Sequence, residues 1–188
     1  MTDAPPTEDF EHAEHAEHAA HATNPFLAIV AITIAVLAVL AASVGSLETI
    51  ETQATIDSKN DAVLLQNKAT DTWNLYEAKS IKKNMYQIAA ASGGPTADFF
   101  KQEAQRNGED EKTFDAQARS LEAQRDAKLE ESERHAHRHA VLTIAVTLLH
   151  ISIAIATIAI IRNGARWPWY AALALGAAGI AGTAFAYV

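Results

Sequence analysis

Three stretches of this chain contain no Asp, Glu, Lys or Arg: Asn24–Leu47, Ala140–Ile161 and Trp167–Val188. The hydrocarbon core of a bilayer takes roughly 20 apolar residues of helix to cross, and each stretch is long enough. Inside hydrocarbon a backbone must satisfy its own polar groups, so each is expected as a helix. This patterning excludes a soluble globular domain, although 49% hydrophobic and 20% charged residues, taken as averages, would fit one. The absence of cysteine also excludes a disulfide-built domain and a thiolate metal centre.

Between the first two stretches the sequence turns polar, and its one strong breaker is Ser92-Gly93-Gly94-Pro95. Glycine favours a helix stop, and proline just beyond it prevents continuation. The break divides the polar segment into equal arms, 48–91 and 96–139. The fold class expected is an all-α membrane protein. It has three transmembrane helices and a long antiparallel, coiled-coil-like helical hairpin between the first and second. At 1.5 Å rise per residue such a hairpin extends about 65 Å. Pairing about Gly94 sets Trp73 near Phe114 and places Lys79, Lys82 and Lys83 across from Glu109-Asp110-Glu111. Asn107-Gly108 is the expected break or kink within the second arm. The expected organisation is an acidic His-rich tail at 1–23, spans at 24–47, 140–161 and 167–188, the hairpin at 48–139 with its turn at 92–96, and a connector at 162–166.

The formal net charge is −8, and no basic stripe of the kind nucleic acid requires is present. Residues 1–23 carry acids but no Lys or Arg. Near the spans, the central segment has Lys59, Arg125, Lys128, Arg134 and Arg138, whereas the opposite side has only Arg162 and Arg166. The positive-inside rule then predicts a multi-pass membrane protein with its hairpin and C-terminus in the cytoplasm and its tail outside.

Small residues at Ala28, Ala31, Ala35, Ala38, Ala42 and Gly45 step by three and four along the first span. In lipid, such a stripe lets helix backbones approach. Ala174, Ala178, Gly182 and Ala186 form a similar face on the third span, below the interfacial aromatics Trp167, Trp169 and Tyr170.

Histidines form the candidate chemistry. His12, His15, His18 and His21 recur every three residues in the tail, with Glu11, Glu14 and Glu17 before three of them. Imidazole and carboxylate suit Zn, Ni or Cu. A three-residue step rotates around a helix, however, so no fixed site is specified, and no cofactor is firmly implied. His135 and His139, at i and i+4, can chelate a metal or simply mark the entry into the membrane. His150 lies within the second span, where an ionisable residue is a functional candidate by default. The alternative is a neutral imidazole hydrogen-bonded to a Ser or Thr of a neighbouring helix. No carboxylate lies within a span, which counts against a proton-coupled transporter.

The segment Asp71-Thr-Trp73-Asn-Leu-Tyr76-Glu-Ala78-Lys79-Ser-Ile81-Lys82 has the pattern D-x-W-x-x-Y-x-A-K-x-I-K. Together with the His-rich tail, the Ala-rich first span and the Trp-containing last span, it resembles a bacterial membrane family catalogued as domain of unknown function 4337. The resemblance covers nearly the whole chain. That family has no established activity, so the resemblance implies no catalytic residue. It singles out Asp71, Trp73, Tyr76, Lys79 and Lys82 as family-like positions, for which packing of the two arms is the plainest role.

The sequence has no nucleophile elbow, phosphate loop or cysteine nucleophile, so an enzyme is not expected. The leading expectation is a homo-oligomeric inner-membrane scaffold or interaction protein, with lipid and its own copies as partners. An accessory place in a larger membrane complex is compatible with the same features. One alternative is a channel at the oligomer axis with His150 in or near the pore. Another is metal binding or sensing by the tail.

Overall fold

The computed structural model describes residues 25–162 and 165–188. Three helices account for nearly all of them: α1 (Pro25–Ala91), α2 (Ala97–Ile161) and α3 (Arg166–Phe185). There is no strand among the described residues. Each helix contains a segment long and apolar enough to cross a membrane. The four tail histidines lie outside the described residues.

Helix α1 runs for 67 residues without a break, because neither proline nor glycine-rich punctuation occurs before Ser92. The stop falls at the expected turn, where Gly93 and Gly94 have φ of 74° and 100°. That region is strained for any residue with a Cβ. Ser92 N–H donates to Ala89 O and Gly93 N–H to Ala90 O, which closes the last turn of α1. Helix α2 then continues uninterrupted for 65 residues, so the break expected at Asn107-Gly108 does not occur. The Asn107 amide donates back to Glu103 O at 2.7 Å, which keeps the asparagine inside the helical hydrogen-bond pattern. The bare Gly108 leaves room for Lys83, whose Cδ would lie 3.4 Å from an added Cβ.

The chain divides into two compact units, one of residues up to Ala54 with Arg134–Val188, the other Thr55–Glu133. In the first, Val30, Ile34, Leu37, Ala41 and Val44 of α1 are buried, at steps of four and three. They meet the α2 seam of Leu142, Ala145, Leu149, Ile153, Ala156 and Ala159. Helix α3 closes the bundle through Pro168, Ala172, Gly176 and Gly179. A Cβ on Gly179 would lie 3.0 Å from both Ala145 O and Leu149 Cγ, and one on Gly176 would lie 2.7 Å from Leu37 Cδ2. Gly179 is the tighter constraint, because it faces backbone, whereas the Leu37 methyl opposite Gly176 can turn aside. The outward faces of these segments are apolar as well, with Ile32, Val36, Val39, Ile144 and Ile180 exposed. Water does not tolerate so large an apolar surface, whereas hydrocarbon requires it.

In the second unit the contacts between α1 and α2 are built on small residues. Ser58, Ala62, Ala69 and Thr72 are buried on α1, and Ala104, Asn107, Ala118 and Ser132 on α2. Around them Lys83 pairs with Glu111, Lys79 with Asp110 at 2.7 Å, and Lys128 with Asp61 at 3.6 Å. Ser132 Oγ donates to Thr55 O at 3.3 Å. Large apolar side chains, including Val63, Leu64, Met85, Ile88 and Phe99, remain outside.

Candidate functional site

The buried seams of the first unit continue beyond the apolar segments into ionisable residues. The three- and four-residue steps of α1 pass from Val44 to Glu48 and Glu51, while those of α2 pass back from Leu142 to His139 and His135. The side chains consequently converge. Glu51 is only 5% exposed, and its Oε2 lies 2.6 Å from His135 Nδ1. An ionised carboxylate can only accept, so the proton of this bond belongs to Nδ1. The other oxygen, Oε1, is 4.0 Å from the Arg138 guanidinium. Tyr187, just past α3, hydrogen-bonds Glu51 through its hydroxyl, and Arg138 lies over the Tyr187 ring at 5.3 Å. One buried carboxylate thus connects α1, α2 and the end of α3.

A second set lies alongside. His139 Nδ1 is 3.0 Å from Thr52 Oγ1, and the Thr52 hydroxyl already donates to Glu48 O at 2.9 Å. A hydroxyl has one hydrogen, so His139 Nδ1 donates to Thr52. Glu48 Oε1 accepts from Thr143 at 2.5 Å. The two imidazoles are therefore turned toward different partners on α1. Among the described residues no group of three His, Asp or Glu is placed to hold a metal ion. The arrangement can tie α1 and α2 to the end of α3 and satisfy two carboxylates at the margin of an apolar bundle. Chemically it offers hydrogen bonding and charge compensation rather than a reactive nucleophile.

His150 lies on the exposed face of α2. Thr143, Thr147 and Ala154 share that exposed face, with Thr157 half-buried at the next step. Thr147 and Thr157 each donate to the carbonyl four residues back, whereas the Thr143 hydroxyl is directed to Glu48.

The family-like positions divide between two faces. Trp73 Nε1 donates to Glu122 at 2.9 Å, its ring packs edge-on against Tyr76 at 5.3 Å, and Arg119 lies over it at 5.7 Å. Helical side chains lean toward the N-terminus of their own helix, which carries Trp73 toward Glu122. Lys79 bonds Asp110, and Lys83, one residue past the motif, bonds Glu111. These lysines hold the Asp110 and Glu111 carboxyls below their ordinary values. Asp71 and Lys82 are exposed and have no side-chain partner among the described residues.

Of the small residues expected to line helix contacts, Ala31 and Ala186 are buried, Ala28, Ala38, Gly45 and Gly182 are half-buried, and Ala35, Ala42, Ala174 and Ala178 face outward. The α1 contact instead places medium-sized Val30, Ile34 and Leu37 against the small residues of α2 and α3. Glu51, Arg138 and Tyr187 were not singled out by residue type. Continuing the buried period past the end of the uncharged stretch finds Glu51, but Tyr187 has no such signal.

No curated protein and no solved structure matches the chain. The model of one protein family, described as Domain of unknown function (DUF4337), matches residues 26–188. That match spans all three helices and both units, and the chain belongs to this family of unknown function.

Proposed function

We propose that the protein is a homo-oligomeric scaffold or interaction protein of the inner membrane, anchored by three spans and carrying an antiparallel helical hairpin on the cytoplasmic side. The observation that carries this reading is the inside-out distribution of side chains in the Thr55–Glu133 unit. Its helix contacts use Ala, Ser, Thr and Asn, while Met85 is 64% and Ile88 71% exposed. A helix pair that buries its small residues and displays its large apolar ones has its remaining hydrophobic surface available to a partner. The polar cluster around Glu51 fits the same role, because it ties α1 and α2 to the end of α3 by hydrogen bonds and charge. Basic residues on the same side as this cluster, among them Arg134 and Arg138, support a cytoplasmic orientation.

The test is the mass of the protein after gentle extraction and in native membrane fragments. A dimer or larger homo-oligomer is expected, and a monodisperse monomer under both conditions would reject the proposal.

The outward stripe Thr143–Thr147–His150–Ala154 favours a second reading. If copies surround an axis with this stripe inward, they form a polar-lined channel with His150 near its middle. Liposome flux measured across a pH series, with His150→Leu alongside, decides this. Absence of flux at every pH rejects it.

A further inference from the structure

Asn60, Asn67, Asn74, Ile81 and Ile88 follow one another at intervals of seven on α1. Seven residues return almost to the same side of an α-helix, with a drift of about 20°, so the five form one column. All five are exposed. None of the three asparagines has a side-chain hydrogen bond among the described residues. The face toward α2 is different, and is marked by Ser58, Ala62, Ala69 and Thr72. The column lies on the opposite side of α1. Exposed Ile56 and Val63 flank it on one side, and exposed Leu64 and Met85 on the other.

A sustained seven-residue period is the spacing at which helices pair lengthwise, and here its layers are mixed, with Asn60, Asn67, Asn74 and Asp71 polar and Leu64, Ile81, Met85 and Ile88 apolar. Here α1 has two such patterns, and its own α2 occupies only one. We propose that the outward column pairs with the same column of a second copy, parallel and level. This deepens, and rests on, the reading of the protein as a homo-oligomer. Copies inserted in one membrane with the same orientation have their α1 helices parallel, so each residue meets its own counterpart. An asparagine amide carries both donor and acceptor and is therefore complementary to itself. Asparagine pairs at seam positions specify register and strand number at a cost in stability.

Charge supports the same register. In a parallel pair, residues beside the seam meet partners five positions further along the other helix. That brings Glu77 to Lys82 of the second copy, and reciprocally Lys82 to Glu77. Both are exposed and have no side-chain partner within the described chain. The outward half of the family-like motif thereby acquires a role that packing against α2 does not provide. Asp71 is an unfavourable meeting, as is Asp57 two heptads earlier, since each faces its own counterpart and keeps the contact reversible.

The chain has no cysteine, so single-cysteine variants of the full protein in native membranes test the register directly. A disulfide requires Cα atoms within about 7 Å. Asn60→Cys, Asn67→Cys, Asn74→Cys and Ile81→Cys should therefore form disulfide-linked dimers roughly five-fold more readily than Gln66→Cys and Gln87→Cys on another face. Glu77→Lys in the Asn67→Cys background should lower the dimer yield about three-fold, and adding Lys82→Glu should restore it. Asp71→Asn should raise it. The uncrosslinked protein is weighed in parallel. An oligomer whose crosslinks lack the seven-residue period, or whose charge swap fails to rescue, overturns this column while leaving oligomerisation intact. A monomer overturns both.

Discussion

The pair Glu51–His135 should couple far more strongly than an ordinary surface ion pair, and a double-mutant cycle can measure the difference. The Glu51 side chain is 7% exposed and that of His135 is 21% exposed, with 2.6 Å between Oε2 and Nδ1. A hydrogen bond to a charged group in such surroundings contributes about 1.5–3 kcal/mol, whereas an exposed pair contributes roughly 0.2–1 kcal/mol. His135→Ala leaves the Glu51 carboxylate buried with Arg138 at 4.0 Å and the Tyr187 hydroxyl. Its expected cost is about 2 kcal/mol, since the remaining partners offset part of the loss. Glu51→Ala removes all three partnerships at once and should cost about 3 kcal/mol. The double variant should cost roughly 2 kcal/mol less than the sum of the two, because the shared bond is lost only once. Unfolding in mixed micelles with increasing sodium dodecyl sulfate, followed by far-ultraviolet circular dichroism, supplies the four free energies. A coupling below about 0.5 kcal/mol would refute the claim that this carboxylate is sequestered and tied to α2.

Four further outcomes are expected. Gly179→Leu should destabilise the bundle by about 2–3 kcal/mol through overpacking, because even a Cβ there lies 3.0 Å from the Ala145 carbonyl oxygen; the same micelle titration reads it, with outward-facing Ala178→Leu as a near-neutral control. Gly93→Val forces a branched residue to φ 74° and should cost about 1–2 kcal/mol, read as a lowered thermal midpoint. Lys79 and Lys83 hold the Asp110 and Glu111 carboxyls below their ordinary values in the folded chain, so their stabilisation is present above the ordinary carboxyl range and is lost as pH falls through the lowered values; stability should decline below about pH 4, with a shallower decline in Lys79→Met/Lys83→Met. Glu131 and Asp61 raise Lys128 above its ordinary 10.5, so its contribution is present below that value and lost as pH rises beyond it; an alkaline melting series on Lys128→Met should show this limb reduced.

The uncharged stretches and the Gly-Gly-Pro turn were legible because each rests on a rule with few exceptions. Hydrocarbon does not accept unpaired charge, and positive φ does not accept a Cβ. Asn107-Gly108 misled because punctuation is only a local preference. The Asn107 side chain found a carbonyl within its own helix, and Gly108 served an adjacent lysine rather than a turn. The small-residue stripe of α1 was read from one helix alone, but contact depends on two. Val30, Ile34 and Leu37 can face inward because Ala145, Ala156 and Ala159 of α2 and Gly176 of α3 provide the space.

The polar cluster makes a related point about how ionisable residues enter a helical core. Glu48, Glu51, His135 and His139 were visible as charges beside a stretch long and apolar enough to cross a membrane, and charge argues for exposure. Yet the three- and four-residue period that buries Val44 and Leu142 does not end where the uncharged stretch ends. Helical geometry carries it onward, so the next seam positions are enclosed whatever residue occupies them. An unpaired carboxylate there would pay several kcal/mol of desolvation. Glutamate is compatible with the position only because the α2 seam, read in the opposite direction, supplies an imidazole at the same level, with Arg138 and Tyr187 around it. The residue pair is therefore intelligible from neither helix separately: burial is set by the continuity of each seam, and its cost is offset by their complementarity.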